Sequence, residues 1–154
     1  MRIHKNYSNK VTNNFTEKEY YDASYGTDGT PFELSDKTII AGQIIRDYFN
    51  VPMKVTSSFR TSAYDISKGR SGTGTHTLRQ AVDYAFLDDD TIYKYHKEIL
   101  ERGNLYMQLR QAGINGFGLY DNFLHIDSRA SGNTVDTNFG NFAFWDNRKK
   151  KSNP

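Results

Sequence analysis

With 154 residues, 20 basic side chains against 18 acidic ones and a net charge of +2, the chain has the length of one domain and no field that would select nucleic acid. It has no cysteine, which removes disulfides and thiolate metal ligands together. No apolar run approaches a membrane span and the polar start Met1-Arg2-Ile3-His4 does not read as a secretory signal, so neither membrane insertion nor an export segment is expected.

A polar arm over residues 1–13, in which His4 is expected to be mobile, precedes a domain over 14–147. Ser35 is placed to cap a helix from about Asp36 to Phe49. Ile40, Ile44, Ile45 and Phe49 recur there at helical spacing, and Asp36 sits in the first turn, where the helix dipole favours negative charge. Asn50-Val51-Pro52 ends this helix, because the residue before proline avoids the helical region. A strand through Met53 to Ser58 then delivers Arg60, and a polar, glycine-rich loop over 62–75 leads to His76; a loop of that length without structure is usually functional.

Ala81 to Phe86 reads as a strand. Asp88-Asp89-Asp90 offers caps for a helix over about Thr91 to Arg102, with Ile92, Tyr95, Ile99 and Leu100 inward and Gly103 past its end. His96 falls between Lys94 and Lys97, off the apolar stripe, and is expected in solvent. A shorter helix, about Leu105 to Ala112, presents Leu105, Leu109 and Ala112; Phe123 to Asp127 is a further strand, and Trp145 packs a final one. Helices and strands come mixed, so the class is α+β: a single domain with a mainly antiparallel central sheet flanked by helices. Arg148-Lys149-Lys150-Lys151 opens a basic tail over 148–154, read as a solvated segment, with weak attraction to anionic polymers as the alternative.

Chemistry concentrates in two of these strands. In Ala81-Val82-Asp83-Tyr84-Ala85-Phe86 a period of two puts Ala81, Asp83 and Ala85 on one face and the bulky Val82, Tyr84 and Phe86 on the other. In Phe123-Leu124-His125-Ile126-Asp127, Leu124 and Ile126 turn to a core while Phe123, His125 and Asp127 share the opposite side. A lone strand histidine is more often structural than a ligand, but aspartate is depleted from strands and Asp83 between apolar neighbours needs a partner. If both strands belong to one sheet, their polar faces converge with His76 on one metal. Two imidazoles and one carboxylate are the three ligands of a catalytic zinc site that keeps its fourth position open, although they also suit non-haem iron.

The stretch Gly74-Thr75-His76 to Asp83 is similar to the Ser-x-His-x-x-Gly-x-Ala-x-Asp signature of zinc D-alanyl-D-alanine carboxypeptidases. Their relatives, the L-alanyl-D-glutamate endopeptidases, share the fold of the hedgehog amino-terminal domain. His76, Ala81 and Asp83 fall in register, while Gly74 stands where serine is usual and Arg79 where glycine is usual. Val55 to Thr61 resembles the family's Ser-Gly-Tyr-Arg-Ser segment, and Gly116-Phe117-Gly118-Leu119-Tyr120 with Phe123 to Arg129 resembles the Gly-x-Gly-x-Tyr and Val-His-x-Asp-x-Arg segments of one branch. Asn14 to Tyr20 resembles that branch's start, so the likeness runs from about residue 14 to about residue 130.

The resemblance implies zinc, one ion per chain, held by His76, Asp83 and His125. It implies Arg60 near the substrate, on a carboxylate or an oxyanion, and a peptidoglycan stem peptide as the partner cut, by carboxypeptidase or endopeptidase action. It also implies a small stand-alone enzyme of the bacteriophage type, carried to the cell wall by lysis or by a virion; we expect a monomer. Relatives often place an acidic residue three positions before the last ligand or a histidine two before it; here those positions hold Asn122 and Phe123. Asp127, on the strand face of His125, and Asp121, in a turn, are the carboxylates left to take a proton, and the spacing of Asp127 along the strand equally suits orienting an imidazole. The alternative is a zinc-stabilised wall-binding or virion module with little or no catalysis.

Overall fold

The computed structural model describes residues 1–149. In chain order the elements are β1 (Arg2–Ile3), β2 (Lys10–Thr12), β3 (Phe15–Thr16), α1 (Glu17–Asp22), β4 (Phe32–Glu33), α2 (Asp36–Phe49), β5 (Met53–Ser57), α3 (Ser62–Ser67), β6 (Ala81–Phe86), α4 (Thr91–Leu100), α5 (Asn104–Gln111), β7 (Gly116–Leu119), β8 (Leu124–Asp127) and β9 (Ala143–Asp146). A five-stranded sheet in the order β5-β6-β8-β7-β9 forms the centre. Its pairs are antiparallel except β7 with β9, which run parallel across the long return from β8. The α+β class, the single domain and the mainly antiparallel central sheet flanked by helices are as the sequence predicts.

Alternation divides the sheet as expected. Val82, Tyr84, Phe117, Leu119, Leu124 and Ile126 are fully buried on one face, which α2 and α4 cover, with α5 packed against both helices. Burial of such side chains contributes roughly 1.5–3 kcal/mol each. The Tyr84 hydroxyl in this core is satisfied: it donates to the Thr38 carbonyl at 2.9 Å, so its oxygen accepts from the Tyr20 hydroxyl at 2.7 Å. α2 is built around that phenol. A Cβ on Gly42 would lie 2.2 Å from the Tyr84 oxygen, so only glycine lets the helix come this close.

Several local expectations are corrected. The amino-terminal segment is no mobile arm: β1 pairs with β4, Ile3 is fully buried, and the His4 ring stacks on Tyr7 and lies 2.7 Å from the buried Glu17 carboxylate. The sequence held a signal for the first helix, a Thr16…Glu19 capping box that starts α1. In α2, Ile39 takes the inward place expected for Ile40, which is exposed, and the Ser35 hydroxyl bonds Ser128 instead of capping. The 62–75 loop contains α3, capped by the Thr61 side chain. α4 ends at Leu100, whose side chain is exposed, and Arg102 turns the chain at φ 52° ahead of Gly103. In the basic tail Arg148 is buried and clasps Asp146 at 2.8 and 2.9 Å; residues 150–154 lie outside the described residues.

Replacing Gly42 by alanine gains helix propensity of about 1 kcal/mol but drives a methyl into the Tyr84 ring, and overpacking of this kind costs about 1–3 kcal/mol. We expect a net loss of stability in urea unfolding, with far-UV circular dichroism unchanged before the transition.

Candidate metal centre

The register of β6 with β8 sets Asp83 directly opposite His125, and that of β7 with β8 sets Gly118 on the other side of His125. The row continues to Ser57 on β5 and to Trp145 on β9. His76 arrives from the glycine-rich segment, which α3 anchors: the buried Asp65 carboxylate accepts the Gly72 N–H, and Ser62 donates to the Gly72 carbonyl. The chain then turns back into β6 through Arg79 at φ 65°. This is the position where the sequence pattern leads one to expect glycine, and the left-handed backbone gives the reason.

His76, Asp83 and His125 come together as predicted, and a ligand atom from each lies within 4.8 Å of the others. His76 Nε2 is 3.2 Å and His125 Nδ1 2.9 Å from the same Asp83 oxygen. The remaining nitrogens are held from behind. His76 Nδ1 donates to the Ser58 carbonyl at 2.7 Å, and Ser58 is itself fixed through its N–H to Ala23 and its hydroxyl to the Tyr20 carbonyl. His125 Nε2 donates to Asp127 at 2.8 Å, and Arg129 clamps both oxygens of that carboxylate at 2.8 and 2.7 Å. Each imidazole is thus held through its outer nitrogen, and its inner nitrogen, within hydrogen-bond distance of Asp83, is the atom a metal would bind in place of a proton. Two nitrogens and one carboxylate oxygen fit a divalent transition ion.

The charges are strongly coupled. Burial opposes ionisation of Asp83, but hydrogen bonds from His125 and His76 outweigh it and hold its pKa near about 2. Burial likewise opposes the charge on Asp127, yet Arg129 and His125 hold it well below the ordinary carboxylate range. Burial would depress His125, but Asp127 and Asp83 together raise it above the ordinary histidine value, so a metal entering this centre competes with a proton.

The other candidates divide. Asp127 is fully buried behind His125, on the side away from Asp83, where its geometry orients the imidazole and does not face a reacting water. Arg60 is half-buried beside the centre: its N–H reaches the His76 carbonyl, and its Nε lies 3.5 Å from Asp65 with no hydrogen-bond partner among the described residues. Asp121 accepts from the Lys149 N–H and lines a cavity of about 550 Å³ with Asp88, Asp89, Lys54, Ala85 and Phe123. None of the three ligands lines this cavity; Ala85 and Phe123, two residues from Asp83 and His125 in the chain, bring its wall to within about 7 Å along the strand direction.

Three contributors have no role at the centre in the sequence reading. Trp145 does pack a final strand, but its ring also lies against His125 at 4.9 Å, and Arg129 stacks on the indole at 5.2 Å. The Ser58 carbonyl is invisible to side-chain patterns. Arg129 stands two residues after Asp127, as Asp127 stands two after His125, and this spacing was the signal for it. His96, expected in solvent, is buried and donates from Nε2 to the Tyr120 carbonyl at 2.9 Å.

Among the described residues the fold and centre define a metalloenzyme-like α+β domain. A family model described as Peptidase M15 matches residues 12–127, and the chain belongs to that family of zinc peptidases. No curated protein and no solved structure matches it. No helix among the described residues is long and apolar enough to cross a membrane.

Asp127→Asn keeps the shape but weakens both the acceptor for His125 and the Arg129 clamp. Metal affinity in a chelator competition should fall by about 10-fold to 100-fold. For His96, burial first, then nearby Arg148, lowers the pKa below 6.5. The unfolded chain therefore takes up this proton before the folded one does. The histidine's contribution to stability is whole above pH 6.5 and shrinks as pH falls below it. On acidification from about pH 7.5 to about pH 5.5 the wild type should lose stability relative to His96→Gln, measured by urea unfolding.

Proposed function

We propose that the protein is a zinc-dependent metallopeptidase that hydrolyses a peptide bond in peptidoglycan stem peptides. The observation that carries this reading is the joint geometry of His76, Asp83 and His125, each imidazole oriented from behind, beside a cavity of about 550 Å³ on the same sheet face. Membership of the Peptidase M15 family supports the same reaction class. Zinc held by His76, Asp83 and His125 would supply Lewis acidity toward the scissile carbonyl and water. The chain's own residues do the rest. Asp127, clamped by Arg129, keeps the His125 ring in place. Asp121, on the cavity wall, is the carboxylate we assign to proton transfer, and Arg60 binds a substrate carboxylate or the developing oxyanion with its planar fork.

A wall-binding module without catalysis is the second reading, favoured by Asn122 and Phe123 standing before His125 with no carboxylate between them. Mass spectrometry of peptidoglycan fragments separates the two. We expect new termini with the zinc-loaded wild type and none with the chelated protein or with His125→Ala and His76→Ala, whose metal content should fall together with activity. Stoichiometric zinc without new termini would transfer the reading to the binding module. Cleavage retained by His76→Ala would sink the metallopeptidase.

A further inference from the structure

Tyr120 has a hydroxyl whose role the fold does not explain. Two residues beyond Gly118, it lies on the ligand face of the sheet and stacks at 4.3 Å on Phe123, which lines the cavity. Its oxygen is 2.9 Å from Nε1 of Trp145, the only tryptophan. An indole N–H can only donate, so the phenol oxygen accepts and its own proton must point elsewhere. Among the described residues no acceptor bonds that proton, and the residue is half-buried.

The indole that sets this orientation is itself registered on the metal centre. Trp145 lies flat across Gly118, where a Cβ would come within 2.6 Å of the ring, and so reaches His125 at 4.9 Å. Arg129 covers the ring at 5.2 Å while clamping Asp127. His96 pins the Tyr120 backbone by its carbonyl. A single rigid ring thus links the ligand imidazole to the phenol.

We infer that Tyr120 is a catalytic residue, its O–H donating a hydrogen bond to the carbonyl oxygen under attack. This rests on the peptidase reading of the same centre. Water adds to the carbonyl carbon, the C–N bond breaks, and the protons of water pass through the carboxylate base to the leaving amine. Tyr120 keeps its proton throughout and stabilises the negative charge that the carbonyl oxygen gains, the task of an oxyanion-hole donor.

The test compares zinc-loaded wild type with Tyr120→Phe on the stem peptide bond identified by mass spectrometry. It adds the affinity of a phosphinate analogue of that bond, whose tetrahedral phosphorus mimics the attacked carbon. We expect kcat to fall by about 100-fold to 1,000-fold with KM and zinc affinity unchanged, and the phosphinate to bind correspondingly more weakly while the cleavage product binds equally well. Trp145→Phe, which removes the donor to the phenol and also alters the packing on His125 and Arg129, should lose at least about tenfold in kcat. In the chelated protein, Tyr120→Phe should shift the fluorescence of Trp145 as its acceptor is lost. An unchanged kcat and phosphinate affinity in an active enzyme would overturn the role of Tyr120 alone, as would a loss explained wholly by weaker zinc binding. A wild type that neither cleaves nor binds the phosphinate would overturn the peptidase reading with it.

Discussion

The pairing of β6 with β8 is the constraint on which the centre depends. It sets Asp83 opposite His125 and, two residues along, Ala81 opposite Asp127. A slip of one residue would turn Asp83 and His125 into the core and Tyr84 and Leu124 toward the cavity. Six residues of β6 are buried on both faces, and Tyr84 is tied through its hydroxyl to α2 and Tyr20, so such a slip would strand a buried phenol. Core and chemistry therefore enforce one register from opposite sides of the sheet.

Small residues let large ones meet on the ligand face. A Cβ at Gly116 would stand 2.2 Å from the Asp127 carboxylate, and one at Gly118 would strike the Trp145 ring. With both positions bare, Arg129, Asp127, His125 and Trp145 form one packed group over β7 and β8. Buried charge is tolerated because every carboxylate oxygen of Asp127 has a donor. The long return to β9 is pinned by the buried Arg110, which donates to the carbonyls of Phe139 and Gly140, while Asn115 holds the Arg129 carbonyl. What looks like a loop is the support that brings Trp145 to the centre.

α1 has a comparable part on the other side. It presents the Tyr20 carbonyl to the Ser58 hydroxyl and the Ala23 carbonyl to the Ser58 N–H, and the Ser58 carbonyl then sets the tautomer of His76. The amino-terminal strands pack beneath this helix, so a segment that reads as a polar arm takes part in holding a ligand. Its sequence misleads because β1 has two residues and β2 three, too few to display a period of two, and the single buried Ile3 sits among polar neighbours.

What the sequence determined by itself was everything carried by periodicity and spacing. The faces of β6 and β8, with Asp83 and His125 on one of them, and the bounds of α2 follow from alternation and helical recurrence, since these patterns are local consequences of backbone geometry, while His76 was read from the motif spacing of the family it resembles. Only the tertiary structure decided which face of α2 turns inward, that His96 is buried and that Asp127 stands behind an imidazole instead of before a water. It also decided that Trp145 shares the row of the ligands and donates to the Tyr120 hydroxyl. These outcomes depend on which strand lies beside which and on where a glycine leaves room, and such contacts join residues far apart in the chain whose local sequence carries no record of the partner.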